Sequence, residues 1–292
     1  MRESSNPVMR GVVRDNQPAP YAGFGAGMAG AGQMASTYGQ QQANPYTEPG
    51  YVPSTTSRQI TIDDVVTKTA ATLGVLIAFA VAAYAIIATG GDTDAERMKL
   101  AVPLVAVGGI GGFVLVMIAS FGRKQDNPAI VLSYAAFEGL FVGAISFLFA
   151  NMSVSTASAS SLIGQAVLGT IGVFVGMLVV YKTGAIRVTP RFTRALTAAI
   201  IGVLVLMVGN LIMAAFGAVS PLRDGGTIAI IFSLVCIGLA AFSFLVDFDA
   251  ADQLIRAGAP AKAAWGVALG LTVTLVWLYV EILRLLSYLN SD

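Results

Sequence analysis

Residues 226–255 read GTIAIIFSLVCIGLAAFSFLVDFDAADQLI. From Thr227 to Val246 no residue carries a charge, and a helix of about 20 such residues is long enough to cross a hydrocarbon core of about 30 Å. Three carboxylates, Asp247, Asp249 and Asp252, then arrive within two turns. A run of this length and polarity is a membrane span, and its acidic end either surfaces or places an acid inside the bundle. Comparable runs recur along the chain, so the fold class is all-α and the protein is polytopic.

Composition agrees. Of the 292 residues, 56% are hydrophobic and only 11% are charged, outside the soluble range. Hydrophobicity places seven spans at 69–89, 100–121, 128–150, 160–181, 194–217, 226–248 and 263–289. Residues 1–58 are of another kind: Gly, Ala, Gln, Tyr and Pro without apolar periodicity, read as a disordered tail preceding a transmembrane domain at 59–292. No apolar core follows the early arginines, so the tail does not read as a signal peptide. Order is expected to begin at TIDDVVTKTA, where Thr61 can cap a helix and Asp63 and Asp64 suit its positive end.

Lysine and arginine set the orientation. One side collects Arg2, Arg10, Arg14, Arg58, Lys68, Arg123, Lys124, Lys182, Arg187, Arg191, Arg194, Arg256 and Lys262; the other has only Arg97, Lys99 and Arg223. This asymmetry predicts a cytoplasmic N-terminus and, after seven crossings, an external C-terminus.

The residue inventory excludes much chemistry. There is no histidine, and Cys236 is the single cysteine. Ser-His and Cys-His dyads, His-ligated zinc or haem, and cysteine-ligated clusters therefore cannot be built. The expectation is a non-enzyme without a resident cofactor or metal. A net charge of +1 suggests no nucleic-acid partner.

Ionisable groups inside spans are costly and mark pathways, relays or counter-ion pairs. Glu138 lies mid-span in YAAFEGLFVGAIS, Asp247 and Asp249 close the sixth span, and Glu281 lies in WLYVEILRLL with Arg284 three positions on. Two positions on a helix stand about 200° apart, so Asp247 and Asp249 face opposite ways. Ser243, Ala240, Cys236 and Ser233 continue the Asp247 stripe with small residues that suit helix contact. Asp247 is thus read as buried, and Asp249 and Asp252 as surface groups. Glu281 is read either as an interior acid or as a pair with Arg284 that snorkels to the outer interface. Asn210, mid-span 5, reads as an interhelical hydrogen-bonding group. Loss of water favours an interior carboxyl's neutral form and a nearby cation its charged form, so such an acid can respond to pH or coordinate a hard cation such as Ca²⁺.

FLVDFDAADQLI followed by WLYVEILRLLSYL resembles the paired signature of the Bax inhibitor-1 (TMBIM) family, and YAAFEGLFVGAIS resembles the third helix of its bacterial branch. MRESSNP with TIDDVVTKTA resembles actinobacterial members. The resemblance implies six helices around a hydrophobic seventh, a bacterial cell-membrane location and a pH-dependent calcium leak. It matches Asp247 to the helix-6 acid of a proton-sensitive pair, puts Glu281 in place of the helix-7 aspartate, and offers Arg123 or Lys124 as the latching cation. This chain departs from the pattern in carrying Glu at the helix-7 position, with Arg284 where the family often has Asn. The spacing is also long: measured from a tight turn near Pro260, Asp247 would lie about 16 Å up its helix and Glu281 over 30 Å up the next. Helix 7 then starts later, near Trp265, or the pair is rewired, with Glu138 as one partner.

Three function classes follow. The first is a pH-sensitive cation leak with lipid, Ca²⁺ and protons as partners. The second is a non-conducting regulator that binds other membrane proteins, such as a quality-control protease. The third, an aspartyl intramembrane protease, lacks the GxGD element around Glu281.

Overall fold

The structure is a computed structural model, and it describes residues 58–152, 159–217, 222 and 225–290. The expected tail, apart from Arg58, and most of the uncharged loop 151–160 lie outside the described residues. Among the described residues seven α-helices follow in order: α1 (Ile62–Thr89), α2 (Asp94–Phe121), α3 (Pro128–Met152), α4 (Ala159–Thr183), α5 (Pro190–Ala215), α6 (Thr227–Arg256) and α7 (Ala264–Leu289), the last entered through a short 3₁₀ turn at Ala261–Ala263. Each of the seven spans contains a stretch long and apolar enough to cross a membrane. The chain is a multi-pass membrane protein.

The helices outrun the hydrophobic stretches at polar ends that hydropathy does not register. Thr61 caps α1: its hydroxyl accepts the Asp64 N–H while the Asp64 carboxylate accepts the Thr61 N–H at 3.0 Å. Thr93 and Glu96 repeat this reciprocal cap on α2, which therefore begins at Asp94 rather than near residue 100. At its other end α6 continues two turns past residue 248, carried by pairs four residues apart: Gln253 donates to Asp249 at 2.6 Å, and Arg256 bridges Asp252 at 2.7 Å.

α7 is the most buried span, and α1, α3, α4 and α6 pack directly on it. α2 leans mainly on α3, and α5 on α6. Glycine sets the closest approaches. A Cβ on Gly143 of α3 would lie 2.2 Å from the Ala80 carbonyl oxygen of α1, and one on Gly108 of α2 would lie 2.5 Å from the Phe141 nitrogen of α3. Backbones this close gain dispersion contacts, the main attraction between helices where lipid is as apolar as the side chains. Outward faces carry residues such as Phe113, Leu168 and Leu204, all more than half exposed to the lipid side.

The chain entering α1 is tied to the turn between α6 and α7. The Ile60 N–H donates to the Ala259 carbonyl at 2.8 Å and the Ala261 N–H to the Arg58 carbonyl at 2.7 Å, placing Gln59 opposite Pro260. Lys68 adds a bond from Nζ to the Ala261 carbonyl at 2.6 Å.

Candidate functional site

The α2–α3 turn, α6 and the start of α7 border a cavity of about 420 Å³, whose lining residues include Ser120, Arg123, Gln125, Asp126 and Asp247 together with Leu254, Val267, Gly266 and Gly270. It lies at the N-terminal side of the bundle, where the basic turns gather. Asp247 reaches it because α6 presents its small-residue stripe inward: Ser233, Cys236 and Ala240 are fully buried. Nearer Asp247 the packed positions are Phe244, Leu245 and Phe248 rather than Ser243, and Asp247 is half-buried rather than buried. Asp249 and Asp252, half-buried as well, pair with Gln253 and Arg256.

The partner of Asp247 is Thr274 on α7, whose Oγ1 donates to Oδ2 at 2.7 Å. The same hydroxyl stands 3.2 Å from the Gly270 carbonyl oxygen. It can donate to an ionised Asp247, or turn to Gly270 and accept from a protonated one. Asp247 forms no ion pair among the described residues. Gly270 leaves room for the carboxylate; a Cβ there would sit 3.8 Å from Oδ1.

Arg123 lines the same cavity, and Lys124 is not among its lining residues. Arg123 holds a left-handed backbone, φ 51°, the sole non-glycine residue among those described to do so. That conformation ends α2: the Lys124 N–H returns to the Ala119 carbonyl at 3.0 Å, closing a cap that glycine usually serves. Asp126, also on the cavity wall, is bridged at 2.6 Å by Lys262 from the α6–α7 turn. The hydrogen bond from Lys262, aided by its charge, holds the Asp126 carboxyl below the usual carboxylate range.

The other interior candidates stand apart. Glu138 lies between α3 and α2, with Oε2 where a Cβ on Gly112 would come within 2.4 Å and with the Tyr134 ring 3.8 Å from the same point. Tyr134 belongs to a buried cluster with Leu269 of α7, adjoining Gly270. Glu281 and Arg284 pair on α7, Nη1 donating to both carboxylate oxygens at 2.9 and 3.0 Å. The pair is buried, with side-chain exposures of 1% and 10%, so it does not snorkel to an interface. Asn210 on α5 is buried, and its Oδ1 has no hydrogen-bond partner among the described residues.

The Bax inhibitor 1 like family model matches residues 7–291. The chain belongs to that family. No curated protein matches it. In this Bax inhibitor 1-like chain the acid-to-acid pair implied by the resemblance is not formed: Thr274 faces Asp247, and Glu281 is held by Arg284. Helical rise explains the difference. Asp247 lies nine residues before the end of α6 and Thr274 ten after the start of α7, both about 14–15 Å from the turn, whereas Glu281 is about 25 Å from it. α7 does start near Trp265, but that delay brings Thr274, not Glu281, level with Asp247. Counting equal rises from the turn leads to Thr274 only once the start of α7 at Ala264 is known. Asp126, Gln125 and Lys262 carried no comparable signal, because loop residues meet only through the fold.

Proposed function

We propose that this protein is a pH-sensitive cation leak, with Ca²⁺ as the permeant ion and Asp247 as the group that senses protons, in the cell membrane of a bacterium with its N-terminus in the cytoplasm. The supporting observation is the cavity at the N-terminal side. Its lining includes Asp247, Asp126, Gln125 and Ser120, residues whose side chains carry oxygen atoms, beside Arg123. Hard cations take oxygen ligands of this kind. No three acidic or thiol groups converge among the described residues, so an ion would meet at most the two carboxylates of Asp247 and Asp126 rather than a tight cage.

In this mechanism the ionised Asp247 attracts Arg123 across the cavity and draws the α2–α3 turn toward α6. Protonation removes that attraction, and the Thr274 hydroxyl turns to Gly270 to accept the acid proton. The latch is a single carboxylate with a threonine beside it, so its response to pH is one step. Reconstituted into liposomes, the protein should admit Ca²⁺ in a pH-dependent manner, and Asp247→Asn should hold flux at its low-pH level throughout. Flux that is absent, or that keeps the wild-type pH profile in Asp247→Asn, overturns the proposal.

A non-conducting regulator of other membrane proteins is the second reading. It is favoured by the backbone pairing of residues 58–60 with 259–261, which joins whatever the N-terminal segment binds to the turn beside the cavity. Crosslinking in membranes with and without residues 1–57 separates the two readings.

A further inference from the structure

We propose that a groove between α1 and α4 binds one acyl chain of a membrane lipid, which enters where α4 begins, on the side away from the N-terminus. The two helices do not pack extensively on each other; α1 rests on α3 and α7, and α4 chiefly on α7 and α6. The space left between them is about 710 Å³. Its rims are Ile77 and Val81 on α1 and Val167 and Ile171 on α4, all exposed on the outer surface as well, so the groove is continuous with the lipid-facing sides of both helices. Its floor is Val142 of α3 and Val276 of α7, both buried.

Polarity and size choose the occupant. The polar groups at the floor satisfy each other: Ser146 and Tyr279 are hydrogen-bonded at 2.7 Å, and the Ser146 hydroxyl reaches the Val142 carbonyl at 2.6 Å. The walls are otherwise almost wholly aliphatic, and such a space stays dry. Along α1 the groove runs from Leu73 to Ala85, about 18 Å at 1.5 Å per residue, and so follows the bilayer normal for more than half of a hydrocarbon core of about 30 Å, as an acyl chain does. A flexible hydrocarbon chain fits, and concave walls give it more contacts than the open bilayer does.

The test uses the full chain reconstituted in phosphatidylcholine vesicles doped with a phosphatidylcholine carrying a diazirine along one acyl chain. After irradiation, adducts are mapped on peptides. The expected result is labelling at Val142 and Val276 as well as on the lipid-facing Leu204 of α5, which serves as the reference. Gly164 lines the groove from α4, and a Cβ there would have no atom within 4 Å, so the side chain of Gly164→Leu has open space to enter. It should cut labelling at Val142 and Val276 several-fold and leave Leu204 labelled. Ile171→Trp fills the same space from lower on α4 and serves if the first variant does not fold. Labelling of Leu204 without the floor residues overturns the proposal, as does floor labelling unchanged in both variants. Crosslinks between two copies through the groove would assign it to a second chain and overturn it equally.

Discussion

Asp247 and Thr274 stand at equal height on α6 and α7, joined by a 2.7 Å hydrogen bond from Oγ1 to Oδ2. The bond makes threonine, a group that does not titrate, the constant neighbour of the one acid on the cavity's inner wall. Its hydroxyl suits either protonation state because Gly270 offers a second acceptor 3.2 Å away.

Thr274→Val keeps the shape and removes the hydroxyl. Hydrogen bonds between helices in a membrane are worth about 0.6–1.7 kcal/mol, and a loss of that order is expected in chemical unfolding from micelles. The pH profile of Ca²⁺ entry should shift as well, because the freed carboxylate turns to Arg123. Thr274→Ser should restore both. A profile that stays in place with only stability changed would make Thr274 a packing residue.

Arg123 combines strain with its place on the cavity. A side chain in the left-handed region costs about 1–2 kcal/mol that glycine avoids. Arg123→Gly should therefore raise the unfolding midpoint, and Arg123→Ala should not. Both should increase Ca²⁺ entry at neutral pH. A less stable glycine variant would show that the guanidinium contributes more than the backbone strain takes away.

Glu281 and Arg284 test how a buried ion pair behaves on one helix. Removing one partner strands a charge in a low-dielectric interior, and Glu281→Leu or Arg284→Met alone should cost about 3–5 kcal/mol. The double variant should cost much less. Additive losses in a double-mutant cycle would refute coupling of the pair.

The glycines divide by what surrounds them. Gly143→Ala places Cβ 2.2 Å from the Ala80 oxygen and must push α1 from α3, so a large drop in the thermal midpoint is expected. Gly164→Ala meets nothing within 4 Å and should be neutral or stabilising by up to about 1 kcal/mol through helix propensity. Equal effects at the two positions would contradict the packing described.

Asp126 gives a pH dependence with a definite sign. Its folded pKa is lowered by Lys262, so its contribution to stability is complete above the unfolded value of about 3.9 and is lost as pH falls through the lower folded value. Both side chains are partly exposed, with the lysine more so, and the effect is correspondingly small and screened by salt. Between pH 7 and 5 this pair should add no slope to the unfolding midpoint, and Asp126→Asn should flatten the limb below about pH 4. An unaltered acid limb in that variant would rule the pair out.

The sequence by itself determined seven spans, because hydrocarbon excludes unpaired backbone and each apolar run leaves only a helix. It also determined which of three neighbouring acids faces inward, because 100° per residue sorts Asp247 from Asp249 and the small residues before Asp247 mark the buried stripe. It did not determine what Asp247 touches. That depends on where α7 begins and on how the turn is held, by Lys262 to Asp126 and by residues 58–60 against 259–261. These contacts join segments far apart in the chain, and no local pattern encodes them. Only the tertiary structure sets Thr274 rather than Glu281 level with Asp247, since the height of a residue on one helix has meaning only against the register of its neighbour.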